Sequence, residues 1–320
     1  MKGTAVKFFA PALLLCVAAS CAAAPTNRLF VTNENSDNVS VIDLATNKVT
    51  ATVDIGKRPR GIGRAPDGSA IYVAVSNENS IAVLDPQSLK VLRKFHCGED
   101  PETFAVHPNG NIYISNENDA MASIYDPATG KLIQEVKVGN EPEGVAISPD
   151  GKRAIVTSES SNLIHILAIP EYKITANVLV GARPRAATFN RDGSIVYATS
   201  EIGAEVKKIE ASTGKIIGHV PLADDKAKPK DILISRDGTK LYVAGGRANR
   251  VFVIDEKSLA VLHEIPVGKR VWGLAMNRDG SRIYSTDGAS NQVSVIDTKE
   301  NKAIAQIPVG DAPWGVAIDD

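Results

Sequence analysis

Arginine, glutamate and tryptophan recur at equivalent places in seven short stretches of this chain. These stretches, the lead-in segments, are residues 57–61, 100–103, 141–144, 183–186, 228–231, 270–273 and 312–315. Their side chains that could contact a ligand or a partner are Arg58, Arg60, Glu102, Glu143, Arg183, Arg185, Arg270, Trp272 and Trp314. Guanidinium groups pair with carboxylates through two parallel hydrogen bonds and stack on aromatic rings. This composition predicts a binding site for a flat anion or for a protein partner.

The two tryptophans of the chain strengthen that prediction. Trp272 and Trp314 hold the same position in adjacent lead-in segments, 42 residues apart, and Arg58 and Arg60 follow in the next repeat. An aromatic pair beside guanidinium groups suits a planar ligand with carboxylates. The alternative is that the acids and bases pair with one another and that the tryptophans only pack between repeats.

A second set of acids occupies another repeated position. It consists of Glu34, Glu117, Glu159 and Glu201. Calcium and other hard cations take several oxygen ligands, so these carboxylates are weak candidates for a divalent or lanthanide site. They belong to different repeats, which argues against one shared ion.

The sequence contains no recognisable catalytic pattern. The five histidines show no His-x-His or His-x-x-x-His spacing, and neither a Cys-x-x-Cys pair nor a nucleophile elbow occurs. Adjacent strand residues point to opposite faces, so Cys97 need not touch His96, and we predict a structural cysteine. If the chain is an enzyme, Glu159 and Glu201 near Arg185 are the best candidates for its reacting groups.

The spacing of the lead-in segments predicts the fold. Counted from Pro59, successive segments lie 42, 41, 42, 45, 42 and 42 residues apart, which gives seven repeats. Each repeat has the pattern of four short strands, and in six repeats an Asp-Gly or Asn-Gly pair favours a type I′ hairpin turn between the first two. Four strands at this period are typical of an all-β, seven-bladed β-propeller with four-stranded antiparallel blades.

The two ends of the chain predict how the ring closes. The N-terminal repeat begins at its second strand, at residues 28–33, and the C-terminal repeat ends after its first strand, at residues 313–318. We therefore expect the C-terminal strand to join the N-terminal blade. The lead-in segment and the loop between the second and third strands then lie on the same face, at one mouth of the central channel.

The first residues have the pattern of a signal peptide. Lys2 and Lys7 precede an apolar run at 8–19, which is too short to span a bilayer, and small residues follow. We predict a signal peptide at 1–24, with Cys21 as a minor alternative lipid-anchoring site, and a single propeller domain at 25–320. The formal net charge is −1, and no cluster of Lys or Arg favours nucleic acid or a membrane surface.

Several segments resemble a known family. Residues 30–33 and 113–116, and the Val-Ser-Val-Ile-Asp endings at 39–43 and 293–297, resemble the YVTN-type propeller repeats. An ordered set resembles periplasmic seven-repeat propellers associated with pyrroloquinoline quinone (PQQ)-dependent catabolism; it comprises residues 58–61, 100–102, 141–144, 157–159, 183–185, 200–203, 270–272 and 313–315. The sixth repeat departs from this pattern, because residues 223–228 lengthen its approach by three residues and Pro229-Lys230-Asp231 follows.

That resemblance implies a periplasmic protein, monomeric as we expect, that works beside PQQ-dependent alcohol oxidation. The predicted function is non-catalytic: it binds a protein partner or a small anion, with PQQ as a candidate ligand. The alternative is a propeller enzyme, such as a lactonase or a lyase, that acts at the same face. A deep pocket with carboxylates beside a cation would favour the enzyme, and a broad shallow rim would favour a protein partner.

Overall fold

The computed structural model describes residues 23–222 and 227–320. These residues form 28 β-strands in seven four-stranded sheets, with 3₁₀ helices at Ser76–Glu78 and Gly246–Ala248. The predicted all-β, seven-bladed propeller is confirmed. The predicted signal peptide and Cys21 lie outside the described residues, apart from residues 23 and 24. In the described part of the chain, no helix combines the length and the apolar character needed to cross a membrane.

Within each blade, the strands follow one another from the channel outward. Blade one consists of β28 (Pro313–Asp319), β1 (Arg28–Asn33), β2 (Asn38–Asp43) and β3 (Lys48–Asp54). Blade two consists of β4 (Pro59–Arg64), β5 (Ile71–Val75), β6 (Ser80–Leu84) and β7 (Val91–His96). Blade three consists of β8 (Pro101–Val106), β9 (Ile112–Asn116), β10 (Met121–Asp126) and β11 (Lys131–Lys137).

The remaining blades repeat this order. Blade four consists of β12 (Pro142–Ile147), β13 (Arg153–Ser158), β14 (Leu163–Ala168) and β15 (Lys173–Leu179). Blade five consists of β16 (Pro184–Phe189), β17 (Ile195–Ser200), β18 (Glu205–Glu210) and β19 (Ile216–Pro221). Blade six consists of β20 (Ile232–Ile234), β21 (Lys240–Ala244), β22 (Arg250–Asp255) and β23 (Val261–Pro266). Blade seven consists of β24 (Val271–Met276), β25 (Arg282–Asp287), β26 (Gln292–Asp297) and β27 (Lys302–Pro308).

The ring closes as the two chain ends predicted. Strand β28 pairs antiparallel with β1, and Leu29 lies opposite Ile318. Blade one is therefore assembled from both ends of the chain, without a covalent link at the closure. This pairing completes the last sheet and leaves no unpaired inner strand in blade one.

The core lies between neighbouring blades. In blade two the second and third strands, β5 and β6, are buried along their whole length, whereas the outer strand β7 alternates between half-buried and exposed positions. An aromatic residue of the second strand fills the space between two blades at Tyr197, which is fully buried and packs with Leu241 and Phe252 of the next blade. Blade-to-blade burial of this kind makes each sheet depend on its neighbours for stability.

Glycine in the innermost strand allows the blades to approach closely around the channel. A Cβ atom at Gly144 would lie 2.2 Å from the carbonyl oxygen of Arg185, and one at Gly315 would lie 2.5 Å from the carbonyl oxygen of Arg60. Both distances are well below van der Waals contact with backbone atoms that cannot easily move. The small residues of the first strand therefore set the spacing of the residues at the channel mouth.

The Asp-Gly turns are present, but the predicted turn type is wrong. In blade two, the N–H of Gly68 donates to the carbonyl oxygen of Ala65 at 2.9 Å, so the turn spans 65–68 and the glycine is its last residue. Gly68 has a φ of 74°, whereas Asp67 is not among the residues with positive φ. A type I′ turn needs positive φ at both central residues, so this hairpin uses a longer connection.

Candidate functional site

The lead-in segments converge on the central channel. A cavity of about 180 Å³ is lined by residues from all seven blades. Its polar and aromatic wall includes Glu143, Arg185, Lys230, Asp231, Trp272 and Trp314. Four of these residues, Glu143, Arg185, Trp272 and Trp314, are predicted site residues. Lys230 and Asp231 of the sixth repeat line the same cavity but were not among the predicted site residues.

Hydroxyl groups on the second strands hold the lead-in backbone in place. Thr32 donates to the carbonyl oxygen of Arg60 at 2.7 Å, and Thr157 donates to that of Arg185 at 3.0 Å. Thr286 likewise donates to the carbonyl oxygen of Trp314 at 2.7 Å. Each bond crosses from one blade to the next, so each fixes a site residue through its own main chain.

Blade six lacks this hydroxyl because Ala244 occupies the equivalent position. Asp231 makes the connection to blade seven instead, since its Oδ2 accepts the N–H of Leu274 at 2.8 Å. Burial raises the pKa of Asp231 to about 6, against the lowering effect of hydrogen bonds from the N–H groups of Leu274 and Ile232. Asp231 is thus a bridge between blades and also a carboxyl group on the cavity wall.

Arg60 is the centre of an ion-pair network on the acidic side of the mouth. Its guanidinium pairs with Glu34 at 2.9 Å and with the fully buried Glu102. Arg58 extends the network to Asp100, at 2.8 Å, and to Glu34, at 3.3 Å. Burial and the charge of Glu143 raise the pKa of Glu102 well above its usual value.

Arg185 is the centre of a second network on the opposite side of the mouth. Its side chain is 9% exposed and pairs with Glu143 at 2.7 Å, with Glu201 at 2.6 Å and with Glu159. Arg183 reaches two of the same carboxylates, Glu159 at 2.5 Å and Glu201 at 3.4 Å, but its side chain is 44% exposed. The alternative interpretation of the sequence, in which these charges pair with each other, therefore describes both networks.

Burial and neighbouring charges shift the pKa values of three side chains in or beside the second network. Burial alone would raise the pKa of Glu201, but Arg185 and Lys230 outweigh it and lower that pKa to about 2. Burial and the charge of Glu143 raise the pKa of Glu159 to about 8. Burial and the charge of Arg185 lower the pKa of Lys230 to about 8. Two groups of this network therefore exchange protons near neutral pH.

The two tryptophans stack on each other, with ring centroids 5.7 Å apart and planes inclined by 25°. The guanidinium of Arg60 lies 5.7 Å from the ring centroid of Trp314. Around the indole of Trp272 lie Lys230 at 4.2 Å, Arg270 at 5.0 Å and Arg185 at 5.6 Å. The indole faces are thus engaged by each other and by cations, and a planar ligand would have to displace a cation in order to stack on them.

Two family models match successive parts of this chain. The model described as a YNCE-like beta-propeller matches residues 4–131, and the model described as a lactonase, 7-bladed beta-propeller, matches residues 147–306. The second match spans half of the chain. This chain belongs to the lactonase-type seven-bladed propellers. The propeller part of the resemblance is therefore confirmed, while the link to PQQ-associated propellers and to the periplasm stays a prediction.

Solved structures of low sequence identity share the fold of this lactonase-type propeller. Hydrazine synthase of Kuenenia stuttgartiensis is 21% identical over 82% of this chain and 89% of its own, with a TM-score of 0.75. A functionally unknown protein from Desulfotomaculum acetoxidans is 17% identical over 92% of this chain and 99% of its own, with a TM-score of 0.81. A comparison with curated proteins finds no match. At these identities the likeness concerns the fold alone.

Arg270 differs from the other arginines of the propeller's mouth. Its side chain is exposed, and no carboxylate of the described residues pairs with its guanidinium. Its contact with Trp272 places this unpaired cation beside Lys230 and Arg185. The mouth of the lactonase-type propeller therefore has its spare positive charge on the side of blades five to seven.

The four weak metal candidates do not form one cluster in the described residues. Glu34, Glu159 and Glu201 are all engaged by arginine. Glu117 instead groups with Asp100 and Glu102, whose oxygens lie within 4.8 Å of one another. Arg58 and Arg60 already pair with carboxylates of that group. The negative charge of these carboxylates is therefore balanced by guanidinium groups of the chain itself.

Sequence reasoning missed a Ser-His-Asn arrangement inside blade four. Ser158 Oγ lies 3.0 Å from His165 Nε2, and His165 Nδ1 lies 2.6 Å from the side-chain oxygen of Asn177. The N–H of Gly139 donates to the same Nε2 at 2.9 Å, so Nε2 is a neutral acceptor and Nδ1 carries the proton. Ser158 is fully buried and does not line the channel cavity, so this arrangement has the geometry of a triad without access for a substrate.

The lone cysteine of the propeller body is also buried. Cys97 is 0% exposed and forms no disulfide, and burial raises its thiol pKa to about 12. A thiol that stays protonated and enclosed is a weak nucleophile. These observations support the prediction of a structural cysteine.

Proposed function

We propose that this chain is a binding protein that takes a small organic anion at the mouth of its central channel. The observation that carries the proposal is the convergence of Lys230, Arg185 and Arg270 on the indole of Trp272. Arg185 and Lys230 are engaged by Glu201, whereas Arg270 has no carboxylate partner among the described residues. A carboxylate ligand would give Arg270 the partner that the chain does not provide.

The shape of the site favours a small ligand over a broad partner surface. The cavity of about 180 Å³ is smaller than the roughly 300–1,000 Å³ of pockets that enclose drug-sized ligands. It would therefore enclose only a few carbon atoms of a ligand. A planar tricyclic tricarboxylate such as PQQ would have to lie across the mouth, with a carboxylate on Arg270 and its rings outside the cavity.

The resemblance of the ordered segments to PQQ-associated propellers supports a periplasmic setting beside PQQ-dependent alcohol oxidation. In that setting the chain would hold the cofactor, or a small acid made by oxidation, and a protein partner could dock on the same rim. Charge supports the choice of an anion, because Arg270 on blade seven has no carboxylate partner among the described residues, whereas Arg60 and Arg185 are both paired with carboxylates.

Calorimetric titration of PQQ, benzoate and succinate into the mature protein tests the proposal. We expect at least one of them to bind, and binding to weaken as salt rises. Arg270→Gln should weaken that binding by about tenfold or more, because a charge-assisted pair contributes roughly 1.5–3 kcal/mol. The matched control is Arg191→Gln, an exposed arginine at the other end of blade five. Equal affinity of Arg270→Gln and the unmodified protein would contradict the proposal.

A second candidate function is lactone hydrolysis. The match to the lactonase family model favours it, and so do two carboxyl groups with pKa values of about 8 and about 6, Glu159 and Asp231. Such groups can donate and accept protons near neutral pH. Turnover of γ-butyrolactone or gluconolactone that Asp231→Asn abolishes would favour this candidate. The absence of turnover together with anion binding would favour the non-catalytic function.

A further inference from the structure

Lys230 is a buried amine on the wall of the channel cavity. Its residue exposure is 7%, and its side chain is among those that line the cavity. Lysine is rarely buried to this extent because its ammonium group loses hydration. The side chain of Lys230 is held across the face of Trp272, with Nζ 4.2 Å from the ring centroid.

The neighbours of Lys230 both hold and destabilise its positive charge. Glu201 accepts from Nζ at 2.8 Å, but Arg185 competes for the same carboxylate at 2.6 Å. Arg270 adds a third cation around the same indole. Burial and the guanidinium of Arg185 favour the neutral form of the amine, which is the form with a lone pair for attack.

We propose that Lys230 forms an imine with a small aldehyde or ketone that enters the channel. The cavity supplies the space for a compound of a few carbon atoms, and Ile62, Phe104 and Leu274 in its lining supply an apolar wall. This inference goes beyond the binding of anions and does not depend on it, because a neutral carbonyl compound would react as well.

The reaction balances with groups on the cavity wall. The Nζ lone pair attacks the carbonyl carbon and a C–N bond forms as the C=O π bond opens; the oxygen takes up a proton and the nitrogen loses one, which gives a carbinolamine. The hydroxyl group then takes up a second proton, the C–O bond breaks, water leaves, and the C=N bond forms as the nitrogen loses its second proton. Asp231 lines the same cavity with a pKa of about 6 and can exchange these protons with water. No oxidant or reductant is consumed.

Reductive trapping tests the proposal. The mature protein is treated with propanal and cyanoborohydride at about pH 8, and the propylated lysines are mapped by mass spectrometry. We expect Lys230 to be modified roughly tenfold faster than exposed lysines, because an amine with a lowered pKa has far more of its neutral form at this pH. Lys57 and Lys302, with side chains 69% and 63% exposed, are the internal references.

The pH dependence gives a second readout in the unmodified protein. Labelling of Lys230 should rise toward about pH 8 and then level off, whereas labelling of Lys57 should keep rising. The charged groups that face Lys230 are Glu201, Arg185 and Glu143. Lys230→Arg should remove the fast site, and Lys228→Arg should leave it in place. Modification of Lys230 at or below the rate of the exposed references would overturn the proposal.

Discussion

Arg183 and Arg185 provide a matched test of what burial does to an ion pair. They stand two residues apart and share Glu159 and Glu201 as partners, but their side chains are 44% and 9% exposed. Arg185→Gln would leave Glu143, Glu159 and Glu201 with much less compensation in a buried site. Removing one partner of a buried pair costs about 3–5 kcal/mol, whereas an exposed pair contributes about 1 kcal/mol or less. We therefore expect a large loss of stability from Arg185→Gln and a small one from Arg183→Gln.

The assay is equilibrium unfolding in urea, followed by far-ultraviolet circular dichroism. Fluorescence is less suitable because Arg185 lies 5.6 Å from the ring centroid of Trp272 and its loss would change the emission directly. A loss of several kcal/mol is a large fraction of the roughly 5–15 kcal/mol by which domains are stable. The unfolding midpoint of Arg185→Gln should fall far below that of Arg183→Gln.

The pH dependence of this difference has a defined sign. Without Arg185, burial raises the pKa of Glu159 above its ordinary value of 4.5 with less opposition, and that pKa is already about 8 in the unmodified chain. A carboxyl group whose pKa is raised on folding opposes folding more strongly as pH rises above its unfolded value. The gap between the two variants should therefore be larger near pH 8 than near pH 5. Equal destabilisation by both variants, or a gap that shrinks as pH rises, would contradict this prediction.

Three further predictions concern the blades. Burial lowers the pKa of His165, so the neutral imidazole stabilises the fold above the unfolded pKa of about 6.5, and this stabilisation is lost as pH falls below that value. The loss of stability at acidic pH, measured by unfolding at several pH values, should be smaller in His165→Gln. Cys97 should not react with a thiol reagent in the native protein but should react fully in denaturant, since its native pKa is about 12. Gly144→Ala should lower the free energy of unfolding by about 1–3 kcal/mol or more, because the new Cβ clashes with the Arg185 carbonyl. Gly110→Ala is the control: its Cβ meets no atom within 4 Å, so only the smaller cost of its positive φ should appear.

The fold could be predicted because the sequence features that determine it recur along the chain. The lead-in spacing, the small residues of the first strand and the split N-terminal repeat each appear in the sequence, and the pairing of β28 with β1 follows from them. The turn type could not be predicted from Asp67-Gly68 alone. Which residue of that pair takes a positive φ depends on where the hairpin hydrogen bond closes.

The candidate site was only partly predictable. The repeated positions placed Arg185 and Arg270 on the same mouth. Arg185 pairs with carboxylates there, whereas Arg270 pairs with none among the described residues. That difference depends on side-chain distances between blades, which sequence spacing does not contain. Asp231 could not be found from the sequence, because alanine replaces the hydroxyl residue in two blades and a different group makes the cross-blade bond in each: Ser76 to Pro101 in blade two and Asp231 to Leu274 in blade six.

An anion bound at the Trp272 side of the mouth is the centre of the proposed function. Single-tryptophan variants detect it there: Trp314→Phe leaves Trp272 as the reporter, and Trp272→Phe leaves Trp314. Emission is followed while PQQ or benzoate is added, with inner-filter correction for PQQ. We expect a saturable change in Trp314→Phe that is lost when Arg270→Gln is added. Unchanged emission with both anions, or a change that survives Arg270→Gln, would show that no anion binds in the proposed way.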